Sequence, residues 1–119
     1  MYKPFHLIGL ELSISVLHAV LYRRPTGATR SWRGDVAAVA KRDLRAGEML
    51  DGEGGFTVYG RLIPVARSIK EGALPIGLAH NVALKRDIPA GAIMTKADVA
   101  LREESLPVRM RREMETLYG

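Results

Sequence analysis

Ala40-Lys-Arg-Asp-Leu-Arg-Ala-Gly-Glu-Met-Leu50 recurs in register as Leu84-Lys-Arg-Asp-Ile-Pro-Ala-Gly-Ala-Ile-Met94. Both copies contain Lys-Arg-Asp, a branched aliphatic residue, one variable residue, Ala-Gly, and an apolar residue three positions after the glycine. Self-similarity at this level predicts one supersecondary unit built twice. It also argues against a catalytic Lys-Arg-Asp triplet, because a motif that occurs twice for structural reasons need not take part in chemistry.

Each copy is expected to form a tight turn in which equivalent residues have the same structural role. The glycine reverses the chain, because glycine takes a positive φ without steric cost, and the aspartate accepts backbone N–H hydrogen bonds from the turn. The branched aliphatic residue points into the core. The residues concerned are Asp43, Leu44 and Gly47 in the first copy and Asp87, Ile88 and Gly91 in the second.

Two cations precede the aspartate in each copy, Lys41 and Arg42 and then Lys85 and Arg86. If the two copies pair, these four side chains could converge on an anionic substrate. The alternative is that they are solvated residues at the ends of two strands, and the sequence favours this second interpretation.

Before the repeat, an apolar stripe at helical spacing predicts a helix over roughly residues 10–22. Further aliphatic residues make that helix apolar on more than one side, and such helices are normally buried. A chain of 119 residues has little under which to bury it. We therefore expect a missing partner surface and a homo-oligomer formed through this helix. The stripe consists of Leu10, Ile14, Leu17 and Leu21.

Short strands and turns are predicted between residues 36 and 94, with strands at 36–41 and 56–59, the latter broken by Gly60. Residues 62–69 contain an interior proline and are expected to be an edge strand or irregular. Met49 and Leu50 are expected to return to the core, and residues 51–55 to form a flexible glycine-rich loop. Thr95 and Asp98 resemble a capping box, and an amphipathic helix is predicted from Leu106 onward.

Composition and motifs exclude several functions. Cysteine is absent, which rules out disulfides and thiolate zinc sites. The net charge is +5, but the cations are scattered among acids, so we expect no nucleic-acid partner. The three histidines lack metal-ligand spacing, and GxSxG and GxGxxG motifs are absent. We therefore predict no catalytic residue, no metal and no cofactor in this chain.

The apolar run over residues 7–21 is too short and polar to span a membrane, which predicts a cytoplasmic protein.

Residues 85–99, Lys-Arg-Asp-Ile-Pro-Ala-Gly-Ala-Ile-Met-Thr-Lys-Ala-Asp-Val, resemble the signature of SAF domains. This family is named for sialic acid synthase, type III antifreeze proteins and the flagellar P-ring assembly chaperone. The resemblance implies a mainly β fold, the β-clip, with a pseudo-two-fold repeat. An N-terminal helix and short C-terminal helical segments would be added to it.

The resemblance extends to one group, the C-terminal portions of bacterial NAD(P)-dependent oxidoreductases, through residues 2–11, 14–16, the Pro/Gly-containing connector 23–35, and residues 39–60 and 74–79. These enzymes are homoserine-dehydrogenase-like or deoxyxylulose-phosphate-reductoisomerase-like. The resemblance implies that residues 1–22 are a helical remnant of a preceding catalytic domain and that residues 23–35 are a linker. Residues 36–119 would be the SAF domain with its helical tail.

The function implied by this resemblance is that of a non-catalytic C-terminal domain, which assists assembly or covers the active site of a parent enzyme. That parent would use NADP or NAD and would supply the Rossmann and catalytic domains that are missing here. The alternative is a stand-alone SAF module that binds an anionic sugar or acts as an assembly chaperone.

Overall fold

The computed structural model describes residues 4–28 and 30–119. It divides the chain into two compact units, Met1–Arg30 and Ser31–Gly119. The first unit contains helix α1, Ile8–Tyr22, which confirms the predicted helix and starts it two residues earlier. The helix ends at Tyr22, and the next residue, Arg23, has a left-handed φ of 52°. No residue of α1 is buried.

The second unit contains four strands and two helices, joined by turns. Strand β1 pairs antiparallel with β3, and β2 pairs antiparallel with β4, which gives two separate two-stranded sheets. Single turns of 3-10 helix occur at Ile76–Leu78 and Lys96–Asp98. The elements are β1 (Gly34–Ala40), β2 (Met49–Asp51), β3 (Val58–Pro64), α2 (Val65–Glu71), β4 (His80–Ala83) and α3 (Leu106–Tyr118).

The predicted mainly β fold, the β-clip, is wrong. In the described residues the chain is a small α/β protein, with helices of 15, 7 and 13 residues against strands of 7, 3, 7 and 4. Much of the segment between residues 36 and 99 pairs through single bridges instead of extended ladders. Glycine and proline interrupt this segment often, and proline cannot donate a ladder hydrogen bond.

Two local predictions in this segment are also wrong. Gly60 does not end a strand but lies within β3 opposite Ala38. A Cβ at residue 60 would lie 2.5 Å from Val36 Cγ1, so the close packing at this point explains the glycine. Residues 65–69, expected to be extended or irregular, belong to α2. Pro64 is the last residue of β3 and lies just before the first turn of this helix. Its missing N–H removes no helical hydrogen bond, because N–H groups at the start of a helix have no acceptor within the helix.

The core of the second unit is aliphatic and contains the inner residues of both repeats. Leu50 is buried as expected, but Met49 is 53% exposed, because adjacent residues of a strand face opposite sides. The predicted capping box is confirmed, since Thr95 and Asp98 each accept from the other's backbone. The predicted C-terminal helix is confirmed as α3. The largest fully buried apolar side chains are Leu44, Leu50, Leu74, Ile88, Met94, Val39, Val58 and Val99.

Candidate functional site

The two copies of the repeat meet face to face. We call residues 40–50 and 84–94 the paired loops. The N–H of Leu44 donates to the carbonyl of Ile88, and the N–H of Ile88 donates to the carbonyl of Leu44, both at 2.9 Å. Both side chains are buried, with exposures of 1% and 2%. The repeat thus forms one symmetric contact, and its two aliphatic side chains belong to the hydrophobic core of the second unit.

The two aspartates cross between the loops. The Asp43 carboxylate accepts the Ala90 N–H at 2.8 Å, and the Asp87 carboxylate accepts the Ala46 N–H at 2.8 Å. The sequence predicted acceptors for the same turn, whereas each carboxylate binds the opposite loop. The Ala46 N–H, followed by the Arg45 guanidinium, holds the pKa of Asp87 below its ordinary value. These carboxylates therefore stabilise the pairing of the loops.

The turn glycines also occupy equivalent positions. Gly47 and Gly91 have φ angles of 84° and 79°. The N–H of Gly47 donates to the carbonyl of Leu84 at 2.8 Å, and that of Gly91 donates to the carbonyl of Ala40 at 2.9 Å. A Cβ added at either glycine would meet nothing within 4 Å. The left-handed backbone, and not a lack of space, therefore explains the glycine at both positions.

The predicted cations of the first loop are bound within the chain. The Arg42 guanidinium forms an ion pair with Glu48, and the Lys41 ammonium donates to the carbonyl of Gly55. The hydrogen bond from Arg42 holds the pKa of Glu48 below its ordinary value. Arg42 thus makes a contact within the first loop, and Lys41 links that loop to the segment that follows β2.

In the second loop, Arg86 Nε donates to the Asp98 carboxylate at 2.5 Å. Burial alone would raise the pKa of Asp98, but the hydrogen bonds from Arg86 and Thr95 outweigh it and lower that pKa. Lys85 is exposed, and its side chain has no hydrogen-bond or ion-pair partner within residues 4–28 and 30–119. Three of the four predicted cations are therefore engaged internally, which counts against their convergence on an anionic substrate.

The sequence interpretation missed a buried ion cluster around Arg111. The Arg111 guanidinium donates to both oxygens of Asp35, at 3.0 and 2.6 Å, and its Nε donates to Glu115 at 2.7 Å. Its carbon Cζ lies 4.4 Å from the centre of the Trp32 ring. Lys96 binds Glu115 from the other side, at 2.8 Å. We call these five residues the Arg111 cluster.

The Arg111 cluster attaches α3 to the start of β1. The Asp35 and Arg111 side chains are only 8% and 9% exposed. Burial raises the pKa of Asp35, but hydrogen bonds from Arg111 and Ser68 outweigh that effect and leave its pKa below the ordinary value. The Glu115 side chain is 20% exposed. The i,i+4 spacing of Arg111 and Glu115 was the signal in the sequence that could have revealed their pairing.

Asp51 organises the glycine-rich loop that was expected to be flexible. Its carboxylate accepts the Phe56 N–H at 2.6 Å and the Thr57 N–H at 3.0 Å, and it also accepts the Thr57 hydroxyl. The Thr57 hydroxyl first, and then the Phe56 N–H, lower the pKa of Asp51 to about 2. The loop is thus closed around an ionised carboxylate.

Helix α1 carries many exposed apolar side chains. The predicted stripe residues Leu10, Ile14, Leu17 and Leu21 are 69%, 62%, 54% and 68% exposed. Other sides of the helix are equally apolar and exposed, at Ile8, Leu12, Val16 and Val20. Contiguous apolar surface of this kind marks sites of interaction.

No protein-family model matches the chain, and a search of curated proteins finds no match either. Across residues 4–28 and 30–119, none of the helices combines the length and the apolar character needed to cross a membrane. The same residues contain no group of three or more histidine, aspartate or glutamate side chains arranged to hold a metal ion.

Proposed function

We propose that this chain is a non-catalytic module of a cytoplasmic NAD(P)-dependent oxidoreductase, which assists assembly of the parent enzyme or covers its active site. The proposal follows from the sequence resemblance to the SAF domains of such enzymes. It assigns to this chain the role of those domains and does not assign their β-clip fold. The observation that carries it is the exposed apolar surface of helix α1. A helix with this surface gains stability when another protein surface covers it.

The paired loops support a structural role for the conspicuous charged residues. Asp43 and Asp87 hold the opposite loop, and Arg42 and Arg86 pair with carboxylates. Contacts within the chain are therefore sufficient to explain why these residues recur in both loops.

The DNA upstream of the Met1 codon tests the link to an oxidoreductase. We expect coding sequence for a dinucleotide-binding domain, either in frame with this chain or in the adjacent gene. The absence of such a sequence from both places would contradict the proposal. Measurable oxidation of NADPH by the purified chain, with a phosphosugar or homoserine-type substrate, would contradict the non-catalytic role.

We further propose that the chain self-associates through the stripe of α1, which the purified chain can test directly. Replacing Ile14 and Leu17 together by glutamate places two charges on the stripe, and replacing Ser13 and Ser15 by glutamate adds the same charge to the same helix. In sedimentation velocity we expect a dimer for the unmodified chain and the serine variant, and a monomer for the stripe variant. A monomeric unmodified chain with an intact helix would contradict self-association.

A further inference from the structure

A cleft of about 310 Å³ lies in the second unit, between the turn Ile76–Leu78, strand β4 and the start of α3. Its walls combine apolar surface with a small number of polar groups, which is the usual composition of a small-molecule site. None of these residues belongs to the paired loops or to the Arg111 cluster. The lining residues used below are His80, Asn81, Arg102, Ser105, Leu101 and Val108.

Strand β4 is irregular where it borders the cleft. Val82 pairs with Leu50 and His80 pairs with Asp51, so Asn81 is an extra residue between two paired positions. Asn81 has a φ of 53°, in the left-handed region. Consecutive residues of a regular strand alternate between faces, whereas a bulge redirects them. As a result residues 80, 81 and 82 all line the same cleft.

Gly52 fixes the place of His80. A Cβ on Gly52 would lie 2.4 Å from the His80 Nδ1 atom, so only glycine leaves room for the imidazole. Gly52 itself has a φ of 76°. Two left-handed positions, Gly52 and Asn81, therefore hold His80 beside the cleft.

Arg102 lines the cleft and carries a permanent positive charge. Other arginines nearby, such as Arg86 and Arg112, form ion pairs with carboxylates. The Arg102 side chain is exposed and has no hydrogen bond or ion pair within the part of the chain that the structure describes. Ser105 is half-buried at the start of α3, and its hydroxyl makes no capping hydrogen bond. Both groups are thus available to a ligand.

We propose that this cleft binds a small organic anion, a carboxylate or phosphate monoester attached to an apolar body. A guanidinium presents donors in the geometry that carboxylate and phosphate oxygens accept. The Asn81 amide and the Ser105 hydroxyl provide further donors, and Leu101 and Val108 provide apolar contact. This site is independent of the assembly role proposed above.

Titration of the full chain, followed by ¹H–¹⁵N NMR, tests the site. The probes are benzoate and phenyl phosphate, with uncharged benzamide as the matched neutral compound. We expect at least one anion to cause saturable shifts at the amides of residues 80–82 and 102–105. Benzamide should bind about tenfold more weakly or worse, because it lacks the charge that Arg102 recognises. The comparison of the two anions shows whether the site prefers carboxylate or phosphate.

Variants separate the cleft from general attraction to a basic protein. Arg102→Gln should weaken binding about tenfold or more, while Arg109→Gln, which removes an equal charge from the exposed face of α3, should leave it unchanged. Asn81→Gly keeps the positive φ, so the chain should fold, and it removes the amide and weakens binding. Absence of saturable shifts at the cleft with both anions would overturn the proposal. Equal weakening by the Arg102 and Arg109 variants, or equal affinity for benzamide, would also overturn it.

Discussion

Gly91→Ala measures the free energy that the left-handed turn of one paired loop requires. The added methyl group meets no atom within 4 Å, so it causes no clash. The backbone hydrogen bond from residue 91 to Ala40 can also be retained. The remaining cost is that of holding an L-residue at a φ of 79°, which is about 1–2 kcal/mol.

Urea unfolding provides the assay, and Gly77→Ala provides the control. A methyl group added at Gly77 would also meet open space, but the φ of this residue is not positive, so its replacement should change stability by less than about 0.5 kcal/mol. With a slope of about 1 kcal/mol/M, the Gly91 variant should lower the unfolding midpoint by about 1–2 M. Equal midpoints for the two variants would refute the argument, since they would mean that residue 91 is not held at positive φ.

Two further predictions concern buried and ionised groups. Arg111→Met leaves the carboxylate of Asp35 buried without its arginine partner and should lower the free energy of unfolding by about 3–5 kcal/mol in the same assay. Arg67→Met removes an exposed ion pair with Glu71 and should lower it by less than about 1 kcal/mol. Equal losses of stability in the two variants would contradict the burial of the Arg111 cluster. The pKa of Asp51 is about 2 instead of the usual 3.8, so its contribution to stability is complete above about pH 4 and is lost as the pH falls toward 2. Carboxyl ¹³C NMR should show this low midpoint and a higher one in Thr57→Val, and an unmodified Asp51 that titrates at its usual value would contradict the loop structure.

The paired loops were largely predictable because a repeated sequence imposes the same local geometry twice. Glycine at equivalent positions indicates a positive φ, and the branched aliphatic residues at 44 and 88 indicate the core side. The partner of each aspartate was not predictable from local pattern. Asp43 and Ala90 are 47 positions apart, and Asp87 and Ala46 are 41 apart, so only the pairing of the loops brings them together.

Helix α2 and the Arg111 cluster depend even more on tertiary contacts. Helix α2 has seven residues, includes the β-branched Val65 and follows a proline, so its local signal is weak. Its buried Ser68 donates a hydrogen bond to the Asp35 carboxylate. The same carboxylate accepts a hydrogen bond from Arg111, which lies 76 positions away in the sequence. The mainly β expectation followed from the resemblance, and the interrupted strands between residues 36 and 99 do not extend into the ladders that it requires.

Amide hydrogen exchange of the full chain tests the pairing of the two loops most directly. The amides of Leu44, Gly47, Ile88 and Gly91 are among those that donate to a carbonyl of the opposite loop. If the loops are one cooperative unit, all four should exchange slowly and with the same opening free energy, because none can open without separating the loops. Fast exchange at either glycine, or clearly different opening free energies for the two loops, would contradict the symmetric pairing on which the account is built.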